Sequence, residues 1–191
     1  MTNVSIIGTG AMGTAIAGIV DKGGNKAQVL GSGDTAEPVT GDIVVLAVPY
    51  PAVSQVLAQR ADQLAGKIIV DLTNPVNFET FDSLTVPADS SAAAEIATAL
   101  PDSRVLKAFN TTFAATLATG TIGELSTTVL IAGDDTEAKS EVAGVVTAAG
   151  LRAVDAGSLR RARELEAIGF LQITLAAAEK VAWTGGFAVQ A

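Results

Sequence analysis

Val4-Ser5-Ile6-Ile7-Gly8-Thr9-Gly10-Ala11-Met12-Gly13 is the stretch on which the reading of this chain turns. A short, mainly apolar run leads into the pattern G-x-G-x-x-G, and Met12, Ile16 and Ile19 then follow at helical spacing up to Lys22. A glycine-rich turn between a strand and a helix is the context that gives the pattern meaning. Gly8 permits the tight turn, Gly10 lets a diphosphate approach the backbone, and Gly13 lets the helix pack closely on the sheet. The helix start then offers unpaired N–H groups and a partial positive charge to an anion. On this reading Gly8, Thr9, Gly10, Ala11 and Met12 hold the diphosphate of a dinucleotide.

Outward from that motif, apolar runs alternate with helical patterns. Residues 27–30, 43–48, 67–71, 105–109, 127–132 and 151–154 read as strands, the last at an edge. Residues 51–66, 91–100, 134–149 and 158 onward read as helices, with Asp134-Asp135-Thr136-Glu137 as a capping signal. Leu165, Ile168, Leu171 and Leu175 share one face of the last of them. The strand runs are continuously apolar, as in a parallel sheet covered on both faces. The expected fold is therefore α/β: a single doubly wound parallel sheet, with a shortened second crossover over residues 31–42 and a long C-terminal helix. No repeat or linker divides the chain, so one dinucleotide-binding domain is expected over residues 1–191, with the C-terminal helix and tail at 158–191.

Composition narrows the chemistry. Twelve Lys+Arg against twenty Asp+Glu give the 191 residues a net charge of -8, which supplies no field for nucleic acid. Cys and His are both absent, which removes thiolate nucleophiles, Cys-ligated zinc, the usual general base and the commonest metal ligand. No metal site and no catalytic acid, base or nucleophile is nominated. The mean hydropathy of +0.43 is high, yet the longest apolar stretch, 167–178, contains Gln172 and Thr174. It is shorter than the ~20 residues a bilayer requires. A cytoplasmic protein with no membrane or nucleic-acid partner and a small-molecule substrate is the expectation.

Open α/β sheets bind ligands beyond the carboxyl ends of their strands. Three such ends stand out here: Ala47-Val48-Pro49-Tyr50-Pro51, Thr73-Asn74-Pro75 and Asn110-Thr111-Thr112. Val48, Pro49 and Pro51 read as one wall of a pocket. Asn74 and Asn110 supply both donor and acceptor, as a nicotinamide carboxamide or a flavin-like ring edge requires. After the second strand the chain reads Gly31-Ser32-Gly33-Asp34, with neither an acid at the strand end nor an arginine. Ser32 would bond a phosphate or a hydroxyl there, which leaves the choice between NADP and NAD open.

Residues 8–13, Ala47-Val48-Pro49, Thr73-Asn74-Pro75 and Lys107-Ala108-Phe109-Asn110-Thr111 together make the chain resemble the coenzyme F420-dependent NADP oxidoreductases. These are small reductases also related to the cytosolic domains of certain metalloreductases. The similarity runs through most of the chain, including Trp183-Thr184-Gly185-Gly186-Phe187. It implies a Rossmann fold holding NADP(H), a nicotinamide open to a flavin or deazaflavin co-substrate, and a homodimer built partly by the C-terminal helices. Family members commonly carry Ser-Arg after the second strand, where this chain has Ser32-Gly33.

Two functions of different class follow. One is an oxidoreductase that passes a hydride between the nicotinamide and a flavin- or deazaflavin-like acceptor, which suits a chain without His or Cys because the cofactor carries the chemistry. The other is a dinucleotide-binding sensor without turnover. Reduction of an imine or a small carbonyl would want a proton donor, for which Tyr50 is the sole tyrosine.

Overall fold

A computed structural model describes residues 1–190. Strand β1 (Asn3–Ile7) leads through the glycine turn into α1 (Ala11–Lys22), and β2 (Lys26–Leu30) returns beside it. No helix follows β2; twelve residues of turn and loop reach β3 (Ile43–Leu46) directly. The second crossover is thus short, as expected. In place of a helix, Arg60 braces the loop from behind, donating to the Glu37 carbonyl at 2.8 Å and to the Asp34 carbonyl.

A one-turn 3-10 helix (Tyr50–Ala52) opens α2 (Val53–Leu64), and β4 (Ile68–Asp71), α3 (Ala92–Ala99) and β5 (Arg104–Ala108) follow. Then come α4 (Ala114–Thr119), a small hairpin of β6 (Thr121–Ile122) and β7 (Leu125–Ser126), β8 (Thr128–Gly133), α5 (Thr136–Ala148) and β9 (Arg152–Gly157). Asp135 caps α5, its Oδ1 accepting from Ala138 N at 2.8 Å. A second 3-10 turn (Leu159–Arg161) opens α6 (Ala162–Ala177).

The seven-stranded sheet has the order β2-β1-β3-β4-β5-β8-β9, with β2 and β9 at its edges. Alternate residues of each central strand feed opposite faces. Val4, Ile6, Ile43, Val45, Ile68 and Val70 pack with α1 and α5, whereas Ile7, Val44, Leu46 and Ile69 pack with α2 and α3. Two cores, one on each face, are why the strands read as unbroken apolar runs.

Two features depart from the expected arrangement. Strand β8 pairs antiparallel with β5, matching Leu106 to Gly133, so β8 and β9 run against the other five. The chain re-enters the sheet from the end at which β5 left it, after α4 and the β6–β7 hairpin. The second departure is the face of α6. Ala162, Leu165, Glu166, Gly169, Gln172 and Ala176 are buried, while Ile168 and Leu171 of the expected apolar face are exposed. Helix α6 lies over the polar carboxyl ends of β4 and β5, so its buried face carries the groups that match them.

Candidate active site

The site begins with backbone geometry. Gly8 sits at φ 128°, and a β-carbon there would collide with the Ala47 carbonyl. That close approach ties the glycine turn to β3, alongside the bonds from Gly8 N to Leu30 O and from Ala47 N to Ile7 O, each 2.8 Å. Gly10 stands at the N-cap of α1 with no side-chain cap and no acidic residue in the first turn. The N–H groups of that turn stay free and carry the positive end of the helix dipole.

Sheet order changes direction between β1 and β3, and a cleft of about 790 Å³ opens beyond their carboxyl ends, a size suited to a drug-sized molecule. Of the residues expected to form a site, Ala11, Met12, Val48, Pro49, Thr73, Asn74 and Asn110 line this cleft. Gly8, Thr9 and Gly10 form the turn that leads into it. Ser32 lies apart, exposed in the loop after β2, where Asp34 accepts from Gly31 N at 2.7 Å. Ala47 belongs to the strand end that Gly8 touches. Pro51 faces a separate groove with Glu95 and Ser54, because the 3-10 turn carries it past the cleft wall. Pro75 is buried, and its carbonyl anchors the next loop by accepting from Thr85 N at 2.7 Å.

The two asparagines hold each other. Asn74 Nδ2 donates to the Asn110 carbonyl, and Asn110 Nδ2 donates to both Asn74 Oδ1 and the Leu165 carbonyl, all at 2.9 Å. Gly169 of α6 crosses so near that a β-carbon would run into the Asn74 amide. The clasp leaves two buried side-chain atoms without a partner among the described residues, Thr73 Oγ1 and Asn110 Oδ1. Both belong to residues that line the cleft. One is a hydroxyl and the other an acceptor, the complement of a carboxamide. Phe109 precedes Asn110 at φ 65°, a strained conformation for a bulky residue and one that clusters at functional sites.

Behind the cleft lies a charge cluster that motif reading missed. Lys107 Nζ donates to Asp71 Oδ2 at 2.7 Å and to the Thr73 carbonyl, and pairs with Glu166 Oε1 at 2.8 Å. All three side chains are at most 1% exposed. Glu166 also accepts from Ala92 N at 3.0 Å and Ala93 N at 3.4 Å, thereby capping α3 from α6. Burial pushes its carboxyl above the ordinary range, and Lys107 offsets only part of that. Sequence carried one faint signal: Lys107 and Asp71 are charges inside otherwise apolar strands. The cleft also gains Leu72, Phe78, Phe113 and Ile173, for which no motif pointed the way, and Trp183, which the sequence placed in the resemblance but not in the site.

Tyr50 is the one ionisable side chain on the cleft wall. Its hydroxyl donates to Glu95 Oε2, and burial together with that carboxylate holds its pKa above the usual phenol range. It keeps its proton and has a partner already. The site thus combines an uncapped helix start, the side chains of Thr73, Asn74 and Asn110, and apolar walls.

Comparison with known proteins supplies the remaining facts. Residues 32–75 match the family model described as NADP oxidoreductase, coenzyme F420-dependent. An F420-dependent NADP reductase of Methanocaldococcus jannaschii is 31% identical over 171 residues, 87% of this chain and 76% of that protein. The metalloreductase STEAP3 of Rattus norvegicus is 38% identical over 69% of this chain, which spans only 26% of that longer protein. A crystal structure from Arthrobacter sp. FB24, described as an F420-dependent NADP-reductase, superposes with a TM-score of 0.85 over 100% of both chains at 23% identity, a likeness of fold.

Proposed function

Because this chain belongs to the F420-dependent NADP reductase family, whose chemistry is NADP-linked oxidoreduction, we propose that it passes a hydride between NADP(H) and a flavin- or deazaflavin-like acceptor in the cleft. The carrying observation is that the uncapped start of α1 and the residues that bear the two unpartnered buried atoms, Thr73 and Asn110, line one cleft. The nicotinamide supplies the hydride when bound. The chain's own residues bind and orient. The backbone of Gly8, Thr9, Gly10, Ala11 and Met12 takes the diphosphate, and Ser32 serves the 2′ end of the adenosine. Ala47, Val48 and Pro49 wall the ring pocket, while Thr73 and Asn110 hold the carboxamide edge. Asn74 and Pro75 keep that edge in position. Holding two rings in register and excluding water is the catalytic contribution asked of such a site.

The protein works, on this proposal, as a cytoplasmic homodimer with α6 in the subunit contact. Ile168 and Leu171 support that placement, being large apolar side chains exposed on one helix. The test of the activity mixes purified protein with NADPH or NADH and either FMN or a deazaflavin, and follows loss of the reduced-nicotinamide absorbance. Oxidation well above background, faster with NADPH, is expected. Tight binding without oxidation would instead favour a sensor.

A further inference from the structure

Apart from Met1, Phe78 and Trp183 are the two most exposed large apolar side chains among the described residues, at 56% and 53%. They lie 105 positions apart in sequence, on the loop after β4 and in the tail after α6, yet line the same cleft. Exposed apolar surface gathered in a concave site is costly to leave in water and marks a place where something apolar docks.

Neither ring is free to wander. Trp183 lies against the buried Phe113 with ring centroids 4.9 Å apart. The turn that carries it is closed by Gly185 N donating to the Ala182 carbonyl at 2.8 Å, and Phe187 N is anchored on Gln172 Oε1 at 2.8 Å. Phe78 packs edge-on against Phe81, centroids 5.5 Å apart, in a loop closed by Phe81 N donating to the Asn77 carbonyl at 2.8 Å. Each ring is fixed by one aromatic neighbour and still keeps half its surface open.

What would cover them is defined by what the cleft lacks. No side chain lining it carries a formal charge, Tyr50 being held neutral. An acidic or basic peptide finds no partner there, whereas a neutral planar ring finds stacking surfaces. Stacking of a planar base on an aromatic side chain is sequence-tolerant and strong enough to decide affinity. With the polar pair at Thr73 and Asn110 taken by the carboxamide, the rest of the ~790 Å³ is available to a second ring.

We propose that Trp183 and Phe78 are the specificity-determining residues for the hydride acceptor, gripping its planar heteroaromatic ring while its polar arms stay outside the cleft. This rests on the proposed hydride transfer and adds the residues that choose the acceptor.

Trp183 is the only tryptophan, so its fluorescence reports this position alone. NADP-loaded protein is titrated with FMN and with 5-deazariboflavin, and wild type is compared with Phe78→Ala, Trp183→Ala and Trp183→Phe. The expected result is saturable quenching of Trp183, weakened about ten-fold or more in Phe78→Ala, as loss of one stacked ring implies. In steady state the acceptor KM rises about as much in both alanine variants. NADPH affinity stays near wild type, and Trp183→Phe recovers most of the loss. Unchanged acceptor KM in both alanine variants overturns the assignment. So does absence of saturable quenching in protein that binds NADP by calorimetry. A dimer that dissociates in Trp183→Ala with acceptor KM unmoved also overturns it, and identifies the patch as a subunit contact. If quenching saturates but wild type oxidises no NADPH, the ring site stands and the proposed turnover falls.

Discussion

At the scale of single residues, Gly10 separates a binding role from a structural one. A β-carbon at this position meets no atom within 4 Å, so the fold leaves the space open. Gly10→Val is expected to cost only about 1 kcal/mol of capping stability and to melt a few degrees lower, yet to lose NADP binding by calorimetry. Retained affinity would remove the diphosphate from this turn. Gly33 is exposed with equally open surroundings. Gly33→Arg adds a charge-assisted donor beside the 2′ end and is expected to raise NADPH affinity about ten-fold while leaving NADH unchanged. Equal effects on both would move the 2′ site elsewhere. The amide nitrogens of both asparagines are spent on each other and on α6, which leaves Asn110 Oδ1 as the acceptor without a partner. Only the contacts disclose that; the residue types do not.

At the scale of elements, α6 buries two polar side chains, Glu166 and Gln172, while leaving Ile168 and Leu171 exposed. Glu166 joins α6 to the start of α3 and to Lys107 of β5. Its carboxyl titrates above the ordinary value of 4.5 when folded, chiefly through burial. The folded state therefore holds this proton after the unfolded chain has released it, so the contribution to stability is greatest below pH 4.5 and declines as pH rises through the folded titration. Glu166→Gln lacks that decline. The difference in melting temperature between wild type and variant should shift in favour of the variant with rising pH, and a pH-independent difference would contradict the raised titration. On the opposite face, Leu171→Glu places a charge in the proposed subunit contact. Sedimentation should find wild type dimeric and the variant monomeric with its NADPH binding retained. A monomeric wild type would refute the contact.

At the scale of the whole molecule, a ligand that binds only the folded state stabilises it by mass action. NADPH at one hundred times its Kd should add about 2.7 kcal/mol, a rise in melting temperature of several degrees, and Gly10→Val should show none of it. What the linear chain determined is local and periodic. The unbroken apolar runs specified a sheet covered on both faces, and the glycine spacing specified the turn into α1. The twelve residues after β2 allowed no crossover helix. Family kinship was legible too, since it rests on short motifs at strand ends. Other features depend on distances between remote segments, which no period encodes. The reversal of β8 lies in its pairing with β5, where Leu106 meets Gly133. The burial of Lys107 follows from two carboxylates, Asp71 and Glu166, arriving from β4 and α6. The exposed Ile168 and Leu171 follow from α6 settling on polar strand ends, where Glu166 and Gln172 meet buried partners. Helical spacing says which residues share a face; only packing decides which face is turned inward, because that depends on the surface awaiting it.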